Sequence, residues 1–235
     1  MLRSLMQERR EALARMLRGH RHRAELAALK RALPGFDGIE TAVRSARNQL
    51  EPTWRAYVAT VSTPVMAASL ELSALVLAIA RTRRPRRILD LGSGFTSCVL
   101  RTHAVEAGDA TVVTIDDDAS WLERSRAFLE SNRLPTDEMW TWDEFSASAP
   151  QPFQLVVHDL GNMSVRAATL PRVLELTAPD GLLVLDDIHP PNDPKVAPYR
   201  ATAPETCRRA GRRLLPVRLL TLDEHGRFAG IAVPR

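Results

Sequence analysis

The chain has 235 residues, 45% of them hydrophobic and 26% charged, with a net charge of +4 and only two cysteines, Cys98 and Cys207. These values exclude a disordered tail, a collagen-like repeat, a disulfide-stapled miniprotein and a cysteine-rich zinc site. The longest apolar run, residues 72–80, is about half of what a membrane span needs. Residues 1–31 are charged throughout and lack the apolar centre of a signal peptide, so a cytoplasmic protein is expected. The charge is uneven, +6 over residues 1–35 and −2 over the rest. No aromatics interleave with that basic run, so a solvated helical face, with His20 and His22 on it, is expected there rather than a nucleic-acid grip.

In chain order, Leu2, Leu5, Met6, Leu13, Met16 and Leu17 recur at spacings of three and four, and Leu26, Leu29 and Leu33 continue the stripe. That predicts a long helix stopped by Pro34-Gly35. A second helix is expected over 39–50, broken at Glu51-Pro52. A third, over 65–82, is apolar on nearly all sides and should be buried. From residue 87 short apolar strands alternate with helices. Strands are expected over 88–91, 111–115, 138–142, 155–158 and 181–185. Helices are expected from the first glycine turn to 107, over 119–133, over 165–177 and, after a proline-rich loop, over 204–211. Two last strands, 214–222 and 228–233, flank a turn at 223–226 and should pair as an antiparallel hairpin. This pattern gives an α/β, Rossmann-like, doubly wound sheet of seven strands, mostly parallel, with an N-terminal helical extension. The expected division is a helical extension over 1–64, serving as a lid or a homodimer interface, and a ligand-binding domain over 65–235. Sheets of this kind bind ligands beyond the carboxyl ends of their strands.

The strongest local signal is ILDLGSGFTS, residues 88–97. Asp90 lies at the end of an apolar strand, and Gly92, Ser93, Gly94 and Thr96 form a turn that lets backbone approach a ligand closely. The next helix offers free N–H groups. Ser97 stands where the dinucleotide fingerprint takes Gly or Ala. Asp116, after the second strand, can accept both hydroxyls of a ribose, which suits NAD and S-adenosylmethionine equally. One of Asp116, Asp117 and Asp118 should cap the helix that follows.

The runs LDLGSGFTS, TIDDD, FQLVVHDL and APDGLLVLDD, in this order and spacing, resemble the class I S-adenosylmethionine (SAM)-dependent methyltransferases over residues 66–235. With Met66, Ser69 and Glu71 ahead of the glycine turn, the chain looks most like the caffeoyl-CoA and catechol O-methyltransferase group and its bacterial relatives. That resemblance implies SAM as cofactor, with Asp90 near its methionine end, Asp116 on the ribose and Asp143 near the adenine amino group. It further implies that Asp159, Asp186 and Asp187 hold a divalent metal, and three carboxylates suit magnesium. Thr96 stands where many members have a third glycine, and Gly161 where relatives often carry a second acid.

Methyl transfer from a sulfonium mainly needs the acceptor held in line with the S–CH₃ bond. A hydroxyl acceptor also gains from a base or a metal. Asp159, His158 and His189 are the candidate catalytic groups, and Asn162 could orient substrate or bind metal. Asp186 and Asp187 can reach one metal only if the strand ends before both side chains diverge. Trp54 and Tyr57 could line an acceptor pocket, Trp121, Trp140 and Trp142 the core or an adenine wall, and Cys98 belongs to the core. The expected function is methylation of a small-molecule hydroxyl. The rivals are a nucleic-acid methyltransferase using the basic N-terminus, an NAD-dependent oxidoreductase, and a non-catalytic binding module.

Overall fold

The computed structural model describes residues 2–147, 151–188, 194 and 196–235. Three helices come first, α1 (Leu2–Ala32), α2 (Ile39–Thr60) and α3 (Leu70–Arg83). α2 continues through Pro52, where the sequence predicts a break. A proline costs a helix interior about 3 kcal/mol. Ile39, Val43, Ala46, Leu50 and Tyr57 nevertheless form one buried stripe on both sides of it, and each large apolar side chain contributes about 1.5–3 kcal/mol by burial. α3 starts later than its apolar run because Ser69 caps it, accepting the Leu72 N–H at 3.1 Å. Every residue from Leu72 to Ala80 is buried, as the all-round apolar pattern requires.

The alternating part follows as β1 (Arg87–Leu91), α4 (Phe95–Ala107), β2 (Thr111–Asp116), α5 (Ala119–Ser131), β3 (Met139–Thr141), α6 (Trp142–Ser146), β4 (Phe153–His158), α7 (Met163–Leu176) and β5 (Thr177–Leu185). It closes with α8 (Ala197–Arg209), β6 (Arg212–Pro216), α9 (Arg218–Thr221) and β7 (Gly230–Pro234). Among the described residues these strands make one seven-stranded sheet, ordered β3-β2-β1-β4-β5-β7-β6. The first five are parallel, and β7 runs antiparallel to both β5 and β6. Strand order reverses between β1 and β4, so a crevice opens beyond their carboxyl ends.

Alternate strand residues feed two apolar layers. Ile88, Val112 and Val157 pack with α3, α4 and the N-terminal helices, whose Leu26, Leu29 and Val43 share that cluster with Leu33 between them. Leu89, Val113 and Val156 pack on the other face with Leu170 and Val173 of α7 and Tyr199 of α8. Two further expectations are corrected. α8 begins well before Pro204 and contains it, because Tyr199, Ala203 and Cys207 form a buried stripe across that proline. The strand expected over 214–222 ends at Pro216 and turns into α9. There the Thr221 hydroxyl accepts the Ala229 N–H at 3.0 Å, and the Arg218 guanidinium stacks 4.1 Å from the Phe228 ring centre and pairs with Glu25 of α1.

Candidate active site

A cleft of about 420 Å³ lies beyond the carboxyl ends of β1, β2, β4 and β5. Gly92 and Ser93, Asp116 to Asp118, Trp121, Asp159, Gly161, Arg166, Asp186, Asp187 and Arg227 line it, and Val65 to Ala67 form its apolar rim. A narrow recess lined by Tyr57, Gly94, Phe95 and Thr96 adjoins it along Gly92, Ser93 and Trp121.

On the β1–β2 side the glycine turn is held by local hydrogen bonds. Gly92 has φ +96°, and a Cβ there would sit 2.4 Å from the Asp159 carbonyl oxygen, so both its backbone angle and its neighbour demand glycine. Asp116 Oδ2 accepts from the Ser93 N–H and hydroxyl, each at 2.6 Å, and Oδ1 accepts the Asp118 N–H at 2.9 Å. Burial raises the Asp116 carboxyl above the ordinary range, against these bonds. Asp118 is the helix cap, accepting from the Ser120 and Trp121 N–H groups. That leaves Asp116 as the acid at the strand end, and the Trp121 indole N–H donates to the Ser93 carbonyl at 2.7 Å. Thr96 is buried and its hydroxyl donates to the Gly92 carbonyl at 3.3 Å.

Asp90 is fully buried and lies outside the cleft wall. Its Oδ2 accepts from Ser97 at 2.5 Å and Thr114 at 3.3 Å, and burial pushes its carboxyl up to about 6. Ser97 in turn accepts the Gly94 N–H at 3.1 Å, so Asp90 tensions the turn from inside. Asp143 is exposed in the first turn of α6 and is not among the residues lining the cleft.

On the β4–β5 side, strand β5 ends at Leu185 and Asp187 adopts φ +56°. This turn allows both Asp186 and Asp187 to line the cleft, which a continuing strand would forbid. Asp159, Asp186 and Asp187 each present an oxygen within 4.8 Å of the others. Sequence reasoning missed the group beside them. Asn162 caps α7, its Oδ1 accepting from the N–H groups of Ser164 at 2.9 Å and Val165 at 3.2 Å. One turn in, Arg166 pairs with Asp159 and donates to Asp187 Oδ2 at 2.8 Å. Burial pushes the Asp159 carboxyl up to about 7 despite the pull of Arg166. Burial, and next the neighbouring Asp187 carboxylate, raise Asp186 well above the ordinary range.

Gly161 has φ +53°, and a Cβ there would lie 2.5 Å from Asp117 Oδ2. Arg227, also unforeseen, pins the rim, donating to the carbonyls of Pro64 at 3.0 Å, Val65 at 2.7 Å and Ala67 at 3.1 Å.

His158 is corrected as a candidate base. It is wholly buried, shares a hydrogen bond of 3.0 Å with Thr169, and lies outside the cleft. Burial, with Arg166 second, depresses its imidazole to about 3. His189 lies outside the described residues. Asn162 uses its Oδ1 in the cap. Trp54 donates to the Ala68 carbonyl at 3.0 Å, and Tyr57 lines the recess. Cys98 is buried in the core, Trp140 is 43% exposed, and Trp142 packs on Phe145. The sequence signal for Arg166 was slight: it is the arginine nearest Asp159 in a chain where all but two of the 32 basic residues are arginines.

No protein-family model and no curated protein matches the sequence. Solved structures do match. The O-methyltransferase TomG of Streptomyces achromogenes, involved in tomaymycin synthesis and bound to SAM, is 20% identical, with 83% of this chain and 90% of that one aligned at a TM-score of 0.58. The Podospora anserina methyltransferase PaMTH1, bound to SAH, is 16% identical over 86% of this chain and 98% of that one, at 0.58. A Bacillus cereus O-methyltransferase in complex with SAH is 16% identical over 88% and 96%, at 0.56. The chain therefore has the fold of the class I SAM-dependent methyltransferases.

Proposed function

We propose that this protein is a SAM-dependent methyltransferase acting on a hydroxyl oxygen of a small molecule. The observation that carries this reading is Asp116, fixed to the glycine turn by Ser93 on the wall of a cleft with six aspartates and two arginines. A carboxylate in that place accepts ribose hydroxyls. A cleft so rich in acid attracts a cationic sulfonium donor and repels the pyrophosphate of a dinucleotide, which separates SAM from NAD. The SAM and SAH bound in the neighbouring structures agree with this choice.

In the reaction the acceptor oxygen attacks the methyl carbon as the C–S bond breaks, and the bond pair passes to sulfur. The products are the methyl ether and the neutral thioether S-adenosylhomocysteine, with one proton released from the hydroxyl. Asp159, on the cleft wall and raised by burial above the ordinary carboxylate range, is the base placed to take that proton. Val65 and Met66, 58% and 73% exposed at the rim, offer an apolar seat for the acceptor, and Arg227 fixes their backbone so that the seat is preformed.

The test is transfer of a labelled methyl group from SAM to a panel of phenols, alcohols and amines, with total RNA alongside. Label in the hydroxylated small molecules supports the proposal. Label in RNA alone would shift the assignment to a nucleic-acid substrate.

A further inference from the structure

The carboxylate cluster at the ends of β4 and β5 has the spacing of a divalent-cation site, with three donor oxygens inside 4.8 Å. Its donor set is already engaged. The Arg166 guanidinium, 7% exposed, pairs with Asp159, donates to Asp187 Oδ2 at 2.8 Å and reaches the Gly161 carbonyl at 3.4 Å. Arginine keeps its charge at any pH a protein survives. A divalent ion entering here would meet that fixed charge at contact distance and compete for two of its three carboxylates. The loop after β4 brings no further acid into the cleft, since position 161 is a glycine held at φ +53°. The residues present therefore do not fit a divalent metal.

We propose that Arg166 is the resident cation of this cluster, standing where a metal ion would otherwise bind, so that the cleft takes no divalent ion and presents a guanidinium to the acceptor oxygen. The second half of this statement rests on the methyltransferase reading, and the exclusion of metal does not. The chain arranges the substitution through Asn162, whose cap starts α7 in the register that turns Arg166 toward both acids.

The test is a manganese titration of the full-length protein, with the free aqua ion followed by electron paramagnetic resonance. Wild type is expected to bind none up to about 1 mM, the weak end of protein carboxylate sites. Arg166→Met, similar in length and uncharged, is expected to gain a site at least about tenfold tighter than that. Arg166→Lys keeps the buried charge and is expected to exclude the ion as wild type does. The lysine variant and wild type carry the test if the methionine variant does not fold. Manganese binding by wild type, lost in Asp186→Asn, would overturn the proposal. So would binding by the lysine variant, or a folded methionine variant that binds no metal. SAM binding measured on the same samples keeps the two readings apart, since its loss in wild type would count against the methyltransferase assignment alone.

Discussion

The two sides of the cleft are held by different forces. At the β1–β2 side the contacts are short neutral or singly charged hydrogen bonds that fix backbone: Ser93 to Asp116, Ser97 to Asp90, Gly94 to Ser97. At the β4–β5 side an arginine and three aspartates from three segments meet largely buried. The first arrangement makes a rigid cradle whose shape depends on the absence of side chains. The second concentrates charge, and each member is costly to bury without the others. A cofactor seat needs the former, and a reacting centre gains from the latter.

This contrast sets the order of expected effects. Arg166→Ala should be the most damaging change, lowering unfolding stability by about 3–5 kcal/mol because it strands buried carboxylates. Denaturant unfolding reads this directly, and a loss under 1 kcal/mol, about the worth of a surface pair, would contradict the picture of a charge-held centre.

Gly92→Ala should cost about 2–4 kcal/mol through left-handed backbone and the clash with Asp159. Gly94→Ala is the control. Its backbone is extended, its Cβ would meet the Tyr57 hydroxyl at 3.3 Å and the Trp121 indole nitrogen at 3.9 Å, both side-chain atoms, and a cost several-fold smaller is expected.

For His158 the prediction concerns pH. Its folded imidazole is depressed to about 3, whereas the unfolded one titrates near 6.5. As pH falls below about 6.5, the unfolded chain alone takes the proton, so wild type loses stability relative to His158→Gln by up to about 1.4 kcal/mol per pH unit. Parallel stability curves for the two proteins over that range would show the imidazole to be less buried than described. The smallest effect is expected from Asn162→Ala, about 1 kcal/mol for a lost cap. The mark of its positioning role is that this variant also gains weak manganese binding, as Arg166 loosens.

The two sides also differ in how far sequence discloses them. The glycine turn and Asp116 were legible because a left-handed φ and a backbone approach of 2.4 Å leave almost no choice of residue at Gly92. Arg166 was not, since its bond to Asp187 joins positions 21 apart on different elements and arginine is abundant throughout. The proline misreadings share one cause. At Pro52 and Pro204 a buried stripe on one helix face outweighs the local penalty, and burial is a property of the assembled core. Likewise α9 forms because Thr221 and Arg218 find partners just ahead of β7 and on α1, which local β-propensity in 214–222 cannot foresee.

The most direct measurement is calorimetric titration of wild type and Asp116→Ala with SAM, and separately with NAD, in the presence of EDTA. Micromolar SAM binding by wild type without metal is expected, weakened about 10–100-fold by the substitution, the worth of a charged hydrogen-bond acceptor, with no binding of NAD. Binding of NAD in place of SAM, or SAM affinity indifferent to Asp116, would contradict the methyltransferase reading.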